Sequence, residues 1–296
     1  MRILLCGASG FIGRPIALAL QAAGHEMVAR SRRSRPALDF ARATRAADWR
    51  AHLAGIDAVV NAVGVLRDSA RAPMAAVHEA VPQALFDACA EAGVRRVLHI
   101  SALGIEANPT RYARTKRAAD EHLLRLNQAG RLDGLVLRPS LVFGPGGASS
   151  QLFVGLSQLP VLLLPRPVLR ARVQPLAVAE LAEAVAQLIA QPARRGLMEL
   201  GGPEALTLAD FIASLRAQRG AAPARTLPLP GWLTRLSARV GDAVPVSPWC
   251  SETLALLATD NVAAPGALAA LLGRAPCPPG ALLATLRGHD ARTQAA

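Results

Sequence analysis

The chain has 296 residues, of which 52% are hydrophobic and only 3% aromatic, and it carries a formal net charge of +12. That length and composition exclude a disordered chain and allow one large or two modest domains with a real core. The charge alone invites nucleic acid, but the arginines are scattered, cluster only from Arg30 to Arg35, and lack aromatics to stack bases, so nucleic acid ranks well behind small molecules as a partner.

In chain order, Ile3 to Cys6 reads as a buried strand and Gly10 to Ala23 as a helix. Glu26 to Ala29 is a second strand and Ala58 to Ala62 a third. Pro73 to Ala92 is a helix closed by Gly93, Arg96 to Ile100 a strand, and Tyr112 to Ala129 a long helix closed by Gly130. Leu135 to Leu137 is a strand that ends at Arg138-Pro139. Short apolar strands alternating with helices predict a parallel sheet covered on both faces. After Val142 the texture changes. Gly144 to Gly147 breaks the chain, and Pro160, Pro165, Pro167 and Pro175 punctuate the next stretch. Ala179 to Ala190 is an amphipathic helix, Met198 to Gly202 a last strand, and Thr207 caps a further helix. Ala221 to Pro248 is rich in proline and resists assignment, although Trp232, Leu233 and Leu236 with Arg235 and Arg239 suggest an amphipathic helix. Such a helix serves domain packing or contact with a membrane surface.

Gly7-Ala-Ser9-Gly10-Phe11-Ile12-Gly13 joins the first strand to the first helix. In that context one glycine permits the tight turn, one lets the backbone approach a pyrophosphate, and one lets helix pack on strand. The helix N-terminus then favours the phosphate charge. A nicotinamide or related dinucleotide is the expected ligand. At the end of the second strand an acid would select NAD through its ribose hydroxyls. Here that position reads Arg30-Ser-Arg-Arg-Ser-Arg35, and guanidinium groups suit a 2′-phosphate. NADP(H) is therefore favoured over NAD(H), with Arg30 as the main contact.

The only tyrosine and the only lysine stand four residues apart, as Tyr112-Ala-Arg-Thr-Lys116, in a chain whose other basic residues are all arginine. One helical turn puts them on one face. A position that keeps lysine where arginine is the rule asks for a compact or titratable amine. A cation there favours phenolate and lowers the tyrosine pKa. The four cysteines, Cys6, Cys89, Cys250 and Cys277, show no CxxC spacing and no nearby histidine pair, so neither a metal site nor a disulfide framework is expected. The N-terminus runs into the glycine turn without a cleavage site, and the longest apolar run, Leu152 to Leu164, is short and broken. A cytoplasmic protein is expected, with a position peripheral to the inner membrane as a further option.

Together the GxxGxxG loop, Asn61-Ala-Val-Gly64, His99-Ile-Ser-Ala-Leu-Gly104, the Tyr112/Lys116 pair and Leu137-Arg-Pro-Ser-Leu-Val-Phe-Gly-Pro145 resemble the short-chain dehydrogenase/reductase superfamily, in its extended and atypical, epimerase/dehydratase-like branches. The text is most similar to the group around the NAD(P)H-binding accessory subunit of respiratory complex I. The resemblance is dense from Met1 to about Leu215. It implies that Tyr112 exchanges a proton with the substrate oxygen. It also implies that Lys116 tunes the tyrosine and holds the nicotinamide ribose, and that Ser101 is the nearest candidate to orient the substrate. Ala62, Val63 and Gly64 would flank the cofactor, Pro139 and Ser140 would face the nicotinamide, and Asp48 would lie near the adenine, as a residue after the third strand often does. His78 stands where an asparagine is usual.

The expected architecture is α/β, a Rossmann doubly wound parallel sheet with a smaller, mostly C-terminal substrate domain. Residues 1–145 with 178–202 would bind the dinucleotide, and residues 146–177 with 203–296 would bind substrate or a partner. Two functions stay open. One is an NAD(P)H-dependent oxidoreductase using Tyr/Lys proton transfer on an unidentified small molecule. The other is a non-catalytic NADPH-binding structural or assembly protein linked to respiratory complex I or quinone metabolism.

Overall fold

The computed structural model describes residues 1–30, 36–244, 249–257 and 259–286. In chain order the first elements are β1 (Arg2–Cys6), α1 (Gly13–Ala22), β2 (Glu26–Ala29), α2 (Arg50–Leu53), β3 (Ala58–Asn61), α3 (Val81–Ala92), β4 (Arg96–Ile100), α4 (Arg111–Gln128) and β5 (Asp133–Pro139). Next come β6 (Val142–Phe143), α5 (Ala148–Leu156), β7 (Val161–Pro165), α6 (Arg166–Arg170), β8 (Arg172–Val173), β9 (Leu176–Ala177) and α7 (Val178–Ile189). The remainder holds β10 (Gly196–Leu200), β11 (Leu206–Thr207), α8 (Leu208–Ala217), β12 (Arg225–Leu229), α9 (Gly231–Ala243), α10 (Ser251–Leu256) and α11 (Ala267–Leu272).

The main sheet has the order β10-β5-β4-β3-β1-β2. The pairs β1/β2, β1/β3, β3/β4 and β4/β5 are all parallel. Every residue of β3 and β4 is buried, as expected for strands covered on both faces. The strand order reverses between β1 and β3, where Cys6 pairs with Asn61. Such a switch point opens a crevice beyond the strand ends, and the glycine loop emerges there.

The chain divides into two compact units, Met1–Pro139 with Leu181–Glu199, and Ser140–Glu180 with Leu200–Ala296. The first core gathers Leu4, Val59, Val97 and Val136 from the sheet with Trp49, Phe86 and Leu123 from its coverings. The second unit packs Phe143, Phe211, Leu215 and Leu282 in one cluster and Leu162, Leu164, Val168 and Ile212 in another. The first segment of the first unit ends at Pro139, and beyond it Val142 and Phe143 pair with Leu176 and Ala177.

Two elements differ from the sequence expectation. The helix read from Pro73 to Ala92 is not uniform: Ala76–Ala80 is a π-helical turn, and regular α-helix starts at Val81. Pro82 has no N–H for the carbonyl four residues back, and its ring crowds that carbonyl, so the turn before it widens. The unassigned stretch from residue 221 holds β12 and α9. Pro228 sits in β12 opposite Leu164 in a two-stranded sheet, an edge setting that tolerates proline.

Candidate functional site

The loop after β1 has the geometry its glycines demand. Gly7 has φ +86°, and a Cβ on it would sit 2.9 Å from the Ala62 carbonyl oxygen. A Cβ on Gly13 would lie 2.0 Å from the Gly7 oxygen, so helix and turn touch there. Gly10 is different: it is exposed, and its added Cβ would meet only the Gly7 oxygen at 3.2 Å. Ser9 is exposed beside it, with Phe11 and Ile12 half-buried. No side chain caps the N-terminus of α1. Open backbone amides at a helix start, beside a residue with no side chain, fit a pyrophosphate.

Ala62, Val63 and Gly64 follow β3 and lie against this loop. Ala62 N–H donates to the Cys6 carbonyl at 3.0 Å, and Val63 lines the space over Gly7. Gly64 leads to α4: a Cβ there would be 3.4 Å from Lys116 Nζ and 3.7 Å from His78 Nε2. Lys116 is buried and donates to the Ile100 carbonyl at 3.0 Å. Thr110 caps α4 by accepting the Ala113 N–H, which sets the phase that points Tyr112, Lys116 and Asp120 along one face.

His78, from the π-helical turn, packs edge-on against Tyr112 with ring centroids 5.3 Å apart. Its Nε2 accepts the Val65 N–H at 2.9 Å, so the proton is on Nδ1, which faces Thr115 Oγ1 at 3.2 Å. Burial and the nearby Lys116 hold the imidazole down to about 2, so His78 stays neutral. It fastens the segment after β3 to α4 and does not change charge near neutral pH.

Beneath Lys116 lies a buried polar chain. Asn61 Oδ1 accepts the Val63 N–H, so its amide nitrogen must be the group facing His99 Nδ1 at 3.1 Å. That leaves the His99 Nε2 proton aimed at Asp120 Oδ1, 3.6 Å away. Asp120 Oδ2 accepts from Ser101 Oγ at 2.8 Å and from Arg138 Nε at 2.9 Å, and Arg138 also pairs with Glu106. Asp120 has no counterpart in the sequence expectations. An acid one turn beyond Lys116, on the same face, was the available signal.

Two expectations change here. Burial, with the Asp120 charge second, pushes the Tyr112 phenol up to about 12 rather than down. The residue keeps partial exposure, but its surroundings are dense and Lys116 does not offset them. Lys116 itself is pushed down to about 8 by burial. The Ser101 hydroxyl donates to Asp120 at 2.8 Å, so its proton is directed into the buried polar chain. Asp48 precedes β3 instead of following it. It closes a short 3₁₀ turn, Ala46–Trp49, through Arg45, which holds its carboxyl below the usual range.

Other expected residues are placed without being joined to this cluster. Arg30 follows β2 directly and is half-buried, while residues 31–35 of the arginine run lie outside the described residues. Pro139 ends β5 and accepts the Leu103 N–H. Ser140 belongs to the second unit, where its hydroxyl donates to the Asn261 carbonyl and accepts the Gln174 N–H. Among the described residues no group of His, Cys, Asp and Glu could hold a metal, and no helix is long and apolar enough to cross a membrane.

The family model described as NAD dependent epimerase/dehydratase family matches residues 3–195. The chain belongs to that family. Among relatives of this epimerase/dehydratase chain, a 3-diazoavenalumate denitrifying reductase of Streptomyces is 30% identical over 260 residues, 77% of this chain and 84% of the relative. A 2-alkyl-3-oxoalkanoate reductase of Stenotrophomonas maltophilia is 27% identical over 176 residues, 49% of this chain and 52% of the relative. A UDP-glucose 4-epimerase of Thermus thermophilus, solved with NAD, shares the fold at a TM-score of 0.63 and 18% identity, covering 97% of this chain and 99% of that one. The family, the parallel α/β fold and nicotinamide dinucleotide binding agree.

Proposed function

We propose that this family member is an NADPH-dependent carbonyl reductase in which Tyr112 is the proton donor. The observation that carries the reading is geometric: the Tyr112 phenol stands one helical turn from a buried lysine that borders Gly64. A protonated phenol is the form that can donate to a carbonyl oxygen as that oxygen gains charge. The bound dinucleotide would supply the hydride. Gly7 to Gly13 and the α1 N-terminus would hold its pyrophosphate, Ala62 to Gly64 would flank it, and Lys116 would hold its ribose. Arg30 would take the 2′-phosphate, which is why NADPH is preferred. Two relatives named as reductases support a reduction, and one of them, named for a 2-alkyl-3-oxoalkanoate, supports a carbonyl substrate.

A second reading rests on Ser101. With its hydroxyl committed to Asp120, no serine of this strand end is left to orient a substrate oxygen. The dinucleotide would then be a structural ligand, as the resemblance to the complex I accessory group implies. One experiment separates the two: wild type and Tyr112→Phe are titrated with NADPH and NADH, then assayed against 3-oxo acids, other ketones and quinones. Reduction should fall by about 10²-fold or more in the variant, while NADPH affinity stays within about twofold and exceeds NADH affinity by about tenfold, the worth of one charge-assisted contact. A variant as active as wild type removes Tyr112 from the chemistry. A wild type that binds NADPH but oxidises it with nothing on the panel favours the structural reading.

A further inference from the structure

Helix α9 is amphipathic in the reverse sense. Its inward positions, Thr234, Ala238 and Gly241, are small, whereas Trp232, Leu236 and Val240 on the opposite face are 63%, 50% and 59% exposed. A surface helix ordinarily turns its large apolar side chains toward the core. This helix cannot roll to do so. A Cβ on Gly241 would lie 2.0 Å from the Trp249 carbonyl oxygen, so backbone packs on backbone there, and the Trp249 indole donates to Ser237 on the same flank.

A second apolar face adjoins it in sequence, across Pro230. In the β7–β12 pair Leu163 stands opposite Leu227, and both point outward at 60% and 51% exposure, while Leu162 and Leu164 turn into the core of the second unit. Apolar surface of this kind marks a site of interaction.

Up to its last turn, where Asp242 is hydrogen-bonded by Ser251, the charge along α9 has one sign. No acid occurs between Asp210 and Asp242, and five arginines do. Arg225, Arg235 and Arg239 are exposed, and none of them is ion-paired to a described acid. From Gly231 to Val240 the exposed side chains of α9 are apolar groups and guanidinium groups only. A second copy docked through this face would set Arg235 and Arg239 against their own counterparts, which like charge opposes. A surface of dense phosphate over hydrocarbon answers both features at once. We infer that α9 and the outer face of β7–β12 dock on an anionic phospholipid bilayer. Trp232 sits at headgroup level, Leu236 and Val240 enter the acyl boundary, and the arginines lay their stems along it to reach lipid phosphates.

The test is flotation of the full chain with phosphatidylcholine vesicles and with vesicles that also contain phosphatidylglycerol. The protein should float with the anionic vesicles, stay behind with phosphatidylcholine alone, and be released by salt. The double variants Trp232→Ser/Leu236→Ser and Arg235→Glu/Arg239→Glu should each lower binding about tenfold or more, with wild-type melting temperatures because all four positions are exposed. Failure to float with anionic vesicles overturns the inference, as does flotation of both variants at the wild-type level. A wild type that is a dimer in solution, and that these variants render monomeric, assigns the face to a second copy instead and equally overturns it.

Discussion

Asp120 sits where a carboxylate is least comfortable, fully buried between a helix and a sheet, with Ser101, Arg138 and His99 around it. Burial raises its pKa from 3.8 to about 7, against the opposing pull of the Ser101 hydrogen bond and Lys116. The folded value is above the unfolded one. Through that window the folded protein therefore keeps a proton that the unfolded chain has released, and stability falls as pH rises. The contribution is fully present below 3.8 and lost by about 7. Asp120→Asn cannot ionise, so its melting temperature should gain on wild type steadily across this range. Parallel melting curves for the two proteins from about pH 4 to about pH 7 would remove Asp120 as the titrating group. Tyr112 and Lys116 were legible in the sequence because their relation is local: one helical turn fixes it. Asp120 shares their helix face, yet its meaning depends on Ser101, Arg138 and His99 arriving from β4 and β5. Spacing along one helix cannot announce that. The same holds for Ser101, whose hydroxyl direction was decided by a partner nineteen residues away.

The turn from β1 to α1 separates two uses of glycine that a motif treats alike. Gly13 is needed by the fold, since an added Cβ would collide with the Gly7 carbonyl at 2.0 Å. Gly10 is needed by little in the protein itself, with one oxygen at 3.2 Å and solvent beyond. Gly13→Ala should accordingly lose about 1–3 kcal/mol of stability, the usual cost of overpacking. Gly10→Ala should melt within a degree or two of wild type, roughly what a surface change of about 0.5 kcal/mol allows, and yet bind NADPH at least about tenfold more weakly, because its methyl group would occupy the phosphate's place. Equal NADPH affinity for Gly10→Ala and wild type would show that the phosphates lie elsewhere. Periodicity exposed the inner strands and the long helices of the first unit, because strands such as β3 are buried on both faces and α3 closes on Gly93. It failed where one residue redirected the backbone. Pro82 turned a stretch of helix into a π turn, and Pro228 hid a strand whose partner, β7, lies more than sixty positions earlier.

At the scale of the molecule, the first unit is a discontinuous piece of chain that leaves at Pro139 and returns at Leu181. The pairing of β6 with β9 joins segments more than thirty residues apart, a relation that no local pattern along the chain displays. One buried side chain secures the returning segment. The Arg96 guanidinium, on β4, donates to the carbonyls of Leu188 and Ile189 at the end of α7, to Arg194 beyond it at 3.0 Å, and to Asp133 on β5 at 2.8 Å. Burial lowers its pKa to about 10, so it remains a cation at neutral pH, placed at the negative end of a helix. Arg96→Met would preserve the apolar stem and leave these carbonyls without donors. The expected loss is about 3–5 kcal/mol, in the range where a buried charged donor is removed. Arg96→Lys should recover only part of it, since one ammonium cannot reproduce a planar fork aimed at several acceptors. The readout is hydrogen exchange at the β4 and β5 amides, which reports the first unit without reference to the second. Exchange there should accelerate about a hundredfold or more in Arg96→Met and by less in Arg96→Lys. If the methionine variant exchanges at the wild-type rate, the returning segment is held by its apolar contacts alone, and the buried arginine is no clasp.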